Sequence, residues 1–503
     1  MNWLSTPTVC PGLFYGTPCQ DGYLMRIRTP GGILTDQQGE AIASLAEEWN
    51  GETIQVTNRA NLQLRSIQPL LPPSALVSLQ KLGLAAHNPQ VDHLRNIMAS
   101  PTAGIDPQEL IDTRPLVDAV HTYIQSSPQL AQLPPKLSIG IDGGGRVGIG
   151  TASEIPWEHR YNEIQLSAVL VKQGINSAQP NPSLENVYLH LSLGGDHQLW
   201  DTQVLIHPQE CIPVITALLK VYGDYLHQFP HSQKKPRMKH LLQDWGLQDY
   251  LQRVNDSLSF PLPIGCHTPT SLGISPYAYL GVHPQLQAGL SYIGIHLSLG
   301  QLTVKHLRGL VELCRNFGNG ELRLTPWQTI VLPHIPNSQV PEVVEYISSL
   351  GLFVPNHQDG FKAQVVACWG KPGCTAAATQ TQSHGLTLAA CLHQRLKLEL
   401  PVNIHLTGCT KTCAQPSPAE IMLLGTEVEH LGKTVEGYHI LINSHLPDTV
   451  EITRMEGYLG LIPAFELPNQ IASLLTTYQR HRTTAEETFG AFALRFGKWK
   501  DGG

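Results

Sequence analysis

The sequence predicts an α+β fold made of two related halves, and three observations carry that prediction. A strand–helix–strand order near the N-terminus returns 268 positions later with its landmarks in the same succession. Mixed helix and strand patterns follow each copy. The second half holds two cysteine pairs, Cys368 with Cys374 and Cys409 with Cys413.

The first unit runs from Asp21 to Ile67. Tyr23 to Arg28 alternates like a strand, and Pro30-Gly31-Gly32 turns the chain. Thr35 to Trp49 reads as a helix: Ile42, Leu45, Ala46 and Trp49 recur at three- and four-residue steps, and Thr35 is its cap. After Asn50-Gly51 a strand, Thr53 to Thr57, leads into Asn58-Arg59-Ala60-Asn61-Leu62-Gln63-Leu64-Arg65. In the second copy a strand over Tyr292 to Leu297 leads to Gly300-Gln-Leu-Thr303, matching Gly32-Ile-Leu-Thr35. A helix follows from Val304 to Phe317, then Asn319-Gly320-Glu321 matching Asn50-Gly51-Glu52, then a strand ending at Thr325 to Gln328 where the first copy has Thr57 to Ala60. Four landmarks in the same order point to an internal duplication and a pseudo-twofold axis between the halves.

Between the copies lies a mixed α/β region. Arg95-Asn-Ile-Met98 and Asp106-Pro107 open it, Leu116 to Ile124 reads as a helix, and Leu133 to Ser138 runs into a strand and the turn Gly143-Gly144-Gly145. Gly143, Gly145 and Gly148 formally satisfy G-x-G-x-x-G, but a dinucleotide fingerprint should open a helix, whereas Val147, Ile149, Thr151 and Pro156 favour a second strand and so a hairpin. Pro230 to Pro236 reads as an exposed loop before a helix over Met238 to Val254, and Val254 to Gln287 links the halves. A helix around Pro463 to Gln479 buries Ile471, Leu474 and Leu475. The expected units are 10–85, 90–228, a linker over 229–275, 276–350, 355–485 and a tail over 486–503.

A chain of 503 residues holds roughly three to four domain-sized units. With 42% hydrophobic and 15% charged residues it reads as soluble and globular. It has no apolar run of the roughly eighteen residues a membrane helix needs, and Met1 to Cys10 lacks a basic start followed by an apolar core. A cytoplasmic location with no membrane partner is the expectation. Six cysteines (Cys10, Cys19, Cys211, Cys266, Cys314 and Cys391) are scattered singly, as reduced thiols are. The balance of 33 basic and 40 acidic residues, with only the short basic run Lys234-Lys235-Pro-Arg237, argues against nucleic acid as the main partner. The oligomeric state is not legible.

The cysteines group as C-x5-C and, after a gap of thirty-four residues, C-x3-C. Four such thiolates can converge on one iron–sulfur cluster, because Gly370, Pro372 and Gly373 allow a tight turn. Cys409 and Cys413 would share one face if their segment is helical. Zinc usually takes closer pairs, and two disulfides would need an oxidising compartment; zinc, structural thiols and disulfides remain the alternatives. Arg59, Arg65, Arg95 and Lys136 lie beside predicted strands, where loop residues gather around a site, and arginine suits carboxylates because its planar fork donates in pairs. Each taken alone reads first as a surface ion pair. Arg26 and Arg28 share a strand, and His283 and His405 read as structural hydrogen-bonders.

Four stretches go further: Cys10-Pro11-Gly12; Asn58 to Arg65; Cys368-x5-Cys374-Thr-Ala-Ala; and His405-Leu-Thr-Gly-Cys409-Thr-Lys-Thr-Cys413-Ala-Gln-Pro416. On these, with the duplication and Arg59, Arg95 and Lys136, the chain resembles the nitrite and sulfite reductase superfamily over almost its whole length. Within it the resemblance is closest to the precorrin-3B synthases of cobalamin biosynthesis. Ala60 stands where the reductases usually have glutamine, Lys411 where they tend to have asparagine, and Ser138 where the sulfite reductases carry a second lysine.

The resemblance implies an internally duplicated nitrite/sulfite reductase-like fold, with two ferredoxin-like half-domains and two mixed α/β cluster-type domains. It implies a [4Fe–4S] cluster on Cys368, Cys374, Cys409 and Cys413. In the synthase reading, Arg59, Arg65, Arg95 and Lys136 hold the carboxylates of a tetrapyrrole substrate, precorrin-3A. An oxygen-dependent hydroxylation with γ-lactone closure is then the reaction, Arg59, Arg95 and Lys136 are the catalytic set, and a further mononuclear iron activates oxygen. The alternative is a sirohaem-dependent ferredoxin–nitrite or sulfite reductase, in which the same basic residues hold sirohaem and a small anion, and Cys413 bridges cluster and haem. A carrier without catalysis is a third reading. The electron donor is an NADH-linked reductase or ferredoxin, and the missing dinucleotide motif points to a partner protein.

Overall fold

The computed structural model describes residues 11–49, 53–66, 71–149, 160–171, 186–194, 199–229, 235–265, 277–356, 363–415, 417–444, 446 and 451–496. Several expectations fall on other residues, namely Cys10, Asn50 to Glu52, Thr151, Pro156, most of the Pro230 to Pro236 loop, Cys266, Pro416 and the tail beyond Phe496, and so lie outside the described residues.

In chain order, the first copy contributes β1 (Thr17–Cys19), β2 (Gly22–Ile27), β3 (Ile33–Thr35), α1 (Asp36–Glu48), β4 (Thr53–Val56), β5 (Leu62–Ser66) and α2 (Pro73–Lys81). The region after it holds β6 (Ile97–Ala99), α3 (Arg114–Gln125), β7 (Ile139–Asp142), β8 (Ile164–Leu170), β9 (Val187–Gly194), β10 (Leu199–Ile206), α4 (Cys211–Leu226), α5 (Met238–Trp245) and α6 (Leu247–Asp256). The second copy is β11 (Gly281–Pro284), β12 (Leu290–Ile295), β13 (Gln301–Thr303), α7 (Val304–Asn316), β14 (Glu321–Leu324), β15 (Ile330–Pro336) and α8 (Val340–Ser349). Last come β16 (Gln364–Ala367), α9 (Thr381–Arg395), β17 (Asn403–Thr407), β18 (Ala419–His430), β19 (Lys433–Ser444), β20 (Tyr458–Pro463), α10 (Leu467–His481) and α11 (Phe489–Arg495).

The duplication is visible down to single turns. Helices α1 and α7 open with the same capping box: Thr35 Oγ1 accepts from the Gln38 amide at 3.2 Å, and Thr303 Oγ1 from the His306 amide at 3.1 Å. The turn after β4 closes through Thr57 and Asn61, with Ala60 at φ +53°; the turn after β14 closes through Thr325 and Thr329, with Gln328 at φ +60°. Trp327 therefore occupies in the second copy the place of Arg59 in the first.

The two half-domain sheets exchange a strand. Their orders are β1-β2-β5-β4-β13 and β11-β12-β15-β14-β3, so β3 pairs with β14 of the other copy and β13 with β4. The glycines preceding these strands make the exchange possible. A Cβ at Gly32 (φ +74°) would lie 2.5 Å from the Leu324 carbonyl, and one at Gly300 (φ +67°) 3.0 Å from that of Val56, so each sits where the backbones of the two copies meet. Helices α1 and α7 pack in one core under both sheets, with Ile42, Leu45, Leu307, Leu310 and Val311 buried. Each such side chain contributes about 1.5–3 kcal/mol on leaving water, so the two copies are held as one body.

The remaining two sheets repeat a second pattern. In β10-β9-β8-β7-β6 and in β16-β17-β18-β19-β20, three parallel strands continue into two antiparallel ones. Helices α3 and α4 cover the first sheet, and α9 and α10 the second. The duplicated α+β architecture expected from the sequence is thus present.

Three local expectations differ. No strand forms at Val147 to Ile149; that loop instead wraps two buried carboxylates. Asp142 accepts from the Gly144 and Ile149 amides at 2.9 and 2.8 Å, and Asp106 from the Arg146 amide at 2.7 Å. Up to Ile149, the last described residue of this stretch, the loop opens no helix. The helix expected over Met238 to Val254 is two, α5 and α6, because Gly246 between them has φ +79°. Cys409 to Cys413 is a turn with Thr412 at φ +46°, so no helix face presents that pair.

Candidate functional site

Two loops bring the four paired cysteines together. The first leaves the C-terminal end of β16: the Cys368 amide donates to the Leu406 carbonyl at 3.1 Å, Gly370 turns with φ +78°, and the Cys374 amide closes onto the Gly370 carbonyl at 3.0 Å. The second leaves the C-terminal end of the neighbouring parallel strand β17. The Gly408 amide donates to Cys368 Sγ at 3.1 Å, and Ala378 N donates to the Gly408 carbonyl at 2.8 Å. Adjacent parallel strands ending at one edge place both loops side by side, as sites in such sheets are usually placed.

Cys368, Cys374 and Cys409 are half-buried, and Cys413 reaches the surface. Although the Cys413 residue is exposed, atoms packed around its sulfur desolvate it and raise the thiol above its ordinary value, the other three cysteines add to this, and Lys136 opposes them. The Gly408 amide on Cys368 Sγ joins the two loops, so the four thiols lie at one edge of the sheet. Among the described residues no three His, Cys, Asp or Glu side chains group tightly enough to hold a metal ion. In a four-iron cluster each thiolate binds its own iron, so its sulfurs stand farther apart than around one ion. The donor set fits a cluster. No mononuclear iron site emerges among the described residues.

The four basic residues have separate placements. Arg59 is half-buried in the turn after β4 and donates from Nη1 to the Lys136 carbonyl at 3.3 Å, while its neighbour Asn58 donates from Nδ2 to the Cys413 carbonyl at 3.4 Å. Arg59, Lys136 and Cys413 therefore meet at one seam between the first half and the cysteine loops.

Arg65 points to the other cysteine loop. Its Nη1 donates to Asp21 Oδ1 at 2.6 Å, and its guanidinium lies 4.0 Å from the ring centroid of Trp369. Arg95 is fully buried: it donates to Asp92 (3.0 Å), to the carbonyls of Leu84 (3.1 Å) and Gly83 (2.5 Å) and to His121 Nε2 (3.0 Å). Arg28 completes that network through Asp92 Oδ2 at 2.9 Å. Burial, and then the charge of Arg95, push His121 down to about 4, which keeps it a neutral acceptor.

Ser138 is buried, its hydroxyl accepting from the Glu163 amide at 3.4 Å. His283 bonds the Leu280 carbonyl at 2.8 Å. His405, in the middle of β17, is completely buried with both ring nitrogens unpartnered, and desolvation lowers it to about 3.

Sequence reasoning did not single out Asp21, Trp369, Asp92 or His121. Only Trp369 carried a local signal, as the residue directly after a cysteine ligand candidate. The others bond partners as far as 26 positions away for His121, 64 for Asp92 and 348 for Asp21.

Comparison with known proteins adds the following. The nitrite/sulfite reductase ferredoxin-like half-domain family matches residues 18–70 and 283–350, the two copies of the duplication. The nitrite and sulphite reductase 4Fe-4S domain family matches residues 90–151, a stretch without cysteine, in the region ahead of the second copy. The ferredoxin–nitrite reductase of Synechococcus elongatus is 31% identical over 438 residues, covering 86% of this chain and 81% of that protein. The chloroplastic ferredoxin–nitrite reductase of Zea mays is 28% identical over 491 residues, covering 92% and 80%. The solved structure of the NirA protein of Mycobacterium tuberculosis superposes with a TM-score of 0.73 at 22% identity, over 94% of this chain and 83% of that one.

Proposed function

The chain belongs to the nitrite and sulfite reductase family of oxidoreductases, and from that premise we propose that it is a sirohaem-dependent nitrite reductase that takes its electrons from ferredoxin. The observation that carries this reading is the seam where the two bonded cysteine loops meet Arg59 and Lys136. Cys368, Cys374, Cys409 and Cys413 would hold a [4Fe–4S] cluster, and Arg59 with Lys136 would face the carboxylate edge of the macrocycle and the anionic substrate. Cluster and sirohaem, when bound, would supply one-electron transfer and an open iron coordination position.

The chain's own residues do the positioning. Asn58 bonds the turn that carries Arg59 to the Cys413 backbone, so that turn sits against the second cysteine loop. The Gly408 amide donates to Cys368 Sγ at 3.1 Å, and the Thr381 hydroxyl donates to the Cys368 carbonyl at 2.5 Å, so both atoms hold the first cysteine in place. Arg95 does not reach the seam in this arrangement; with Asp92 and Arg28 it stiffens the segment leading into β6. Nitrite is favoured over sulfite by Ser138, which is small, buried and already bonded where a second lysine would be needed.

A precorrin-3B synthase is the second reading, favoured by Ala60. Ala60 is buried in the turn after β4, where the reductases usually have glutamine. The absorption spectrum of the anaerobically purified protein separates the two. Soret and longer-wavelength sirohaem bands, with nitrite consumed by reduced ferredoxin, are expected. A sirohaem-free protein that hydroxylates precorrin-3A in the presence of oxygen would overturn the proposal.

A further inference from the structure

We propose that Asp21, Arg65 and Trp369 form a latch that positions the Cys368–Cys374 loop and sets the reduction potential of the cluster it would hold. Trp369 directly follows one cysteine and Gly373 directly precedes the other, so the loop between them decides where two of the four sulfurs stand. Two interactions reach it from the first half-domain, and a third joins their origins. Asp21 accepts from Arg65 Nη1 at 2.6 Å and from Trp369 Nε1 at 2.7 Å, and the Arg65 guanidinium stacks on the Trp369 ring with its carbon 4.0 Å from the centroid.

The base of the latch is rigid. Arg65 sits inside β5, paired opposite Leu24 of β2, and Asp21 occupies the turn between β1 and β2. The contact with the loop has no slack, because a Cβ added at Gly373 would collide with both Arg65 Nη1 and the Trp369 ring. Arg65 and Trp369 are half-buried and Asp21 is exposed, so a charge of each sign is held against the loop with the Asp21 side open to solvent. Together with the Asn58 bond to Cys413, the β4–β5 hairpin and the strand beside it tether both cysteine loops to the first half of the chain.

Reducing a cluster adds negative charge, so a nearby cation raises its potential and a nearby anion lowers it. In the latch Arg65 and Asp21 oppose each other. Arg65→Gln leaves Asp21 uncompensated and should lower the potential; Asp21→Asn leaves Arg65 uncompensated and should raise it. Loosening of the loop alone would lose iron from both variants and shift both potentials the same way. Arg65→Lys keeps the charge without the planar fork and should recover most of the potential lost in Arg65→Gln.

The inference rests on the cluster reading, and the experiment separates the two. The full-length protein, purified anaerobically, is assayed for iron and acid-labile sulfide, and its cluster is titrated potentiometrically with detection by electron paramagnetic resonance. Opposite shifts in Arg65→Gln and Asp21→Asn at full iron content, with recovery in Arg65→Lys, are expected. Equal or like-signed shifts at full iron content overturn the latch while leaving the cluster in place. If Asp21→Asn does not fold, failure of Arg65→Lys to recover the potential overturns it instead. An unmodified protein without iron and sulfide overturns the cluster and the latch together.

Discussion

Replacing Arg95 with alanine distinguishes a binding residue from a framework residue. The substitution deletes donors to Asp92, to two backbone carbonyls and to His121, all in a region closed to water. Arg28 and the Ala86 amide still hold Asp92, but the carboxylate loses one of its two cations, and the carbonyls of Gly83 and Leu84 and the imidazole lose their donor. Breaking a buried pair by removing one member costs about 3–5 kcal/mol. At about 2–4 °C per kcal/mol for a unit of 150–250 residues, the melting temperature should fall by about 6–20 °C. Arg59→Ala removes a half-buried side chain and should move stability by less than about 0.5 kcal/mol, while weakening macrocycle binding by about 1.5–3 kcal/mol for a lost charge-assisted contact. Thermal unfolding followed by circular dichroism, with macrocycle retention read from the visible spectrum, tests both. An Arg95→Ala protein that melts with the parent but has lost its tetrapyrrole would refute the assignment and return Arg95 to the site.

Three further outcomes are expected. Cys413→Ser should lose the cluster and, since cluster binding is linked to folding, some stability; unchanged iron and sulfide would remove Cys413 from the ligand set. His405, His93 and His121 are held neutral by burial, at about 3, about 4 and about 4. Their folded values lie below the ordinary 6.5, so the stability they contribute is full above pH 6.5 and is lost as pH falls from there toward 4, each histidine contributing up to about 1.4 kcal/mol per pH unit. His405→Leu should flatten denaturation midpoints measured across that window, and an unaltered slope would contradict it. Gly32→Ala places a Cβ against the Leu324 carbonyl at a positive φ; it should destabilise the strand exchange by more than about 1 kcal/mol, measured by urea unfolding, and a neutral result would contradict the close approach.

No helix among the described residues is long and apolar enough to cross a membrane. The six scattered cysteines divide as buried or half-buried thiols where they are described; burial pushes Cys211 and Cys314 up to about 12, so neither is a thiolate near neutrality.

What the sequence determined by itself was whatever is written in short-range spacing. The caps at Thr35 and Thr303, the amphipathic stripe of α1 and the matched turns at Ala60 and Gln328 are local, so they repeat wherever the residues repeat. The cysteine spacing likewise survives any reading of the rest of the chain. The exchange of β3 and β13 was not legible, since a three-residue strand carries no mark of the sheet it joins, and only the approach of Gly32 to Leu324 and of Gly300 to Val56 decides it. The same limit governs the arginines. Arg59, Arg65 and Arg95 look alike beside their strands, and their roles part only when tertiary contacts supply Lys136 and Cys413 near the first, Asp21 and Trp369 around the second, and Asp92 with His121 around the third. Charge is a property of the residue, but what it does is fixed by partners that lie up to hundreds of positions away and by how much water the fold leaves between them.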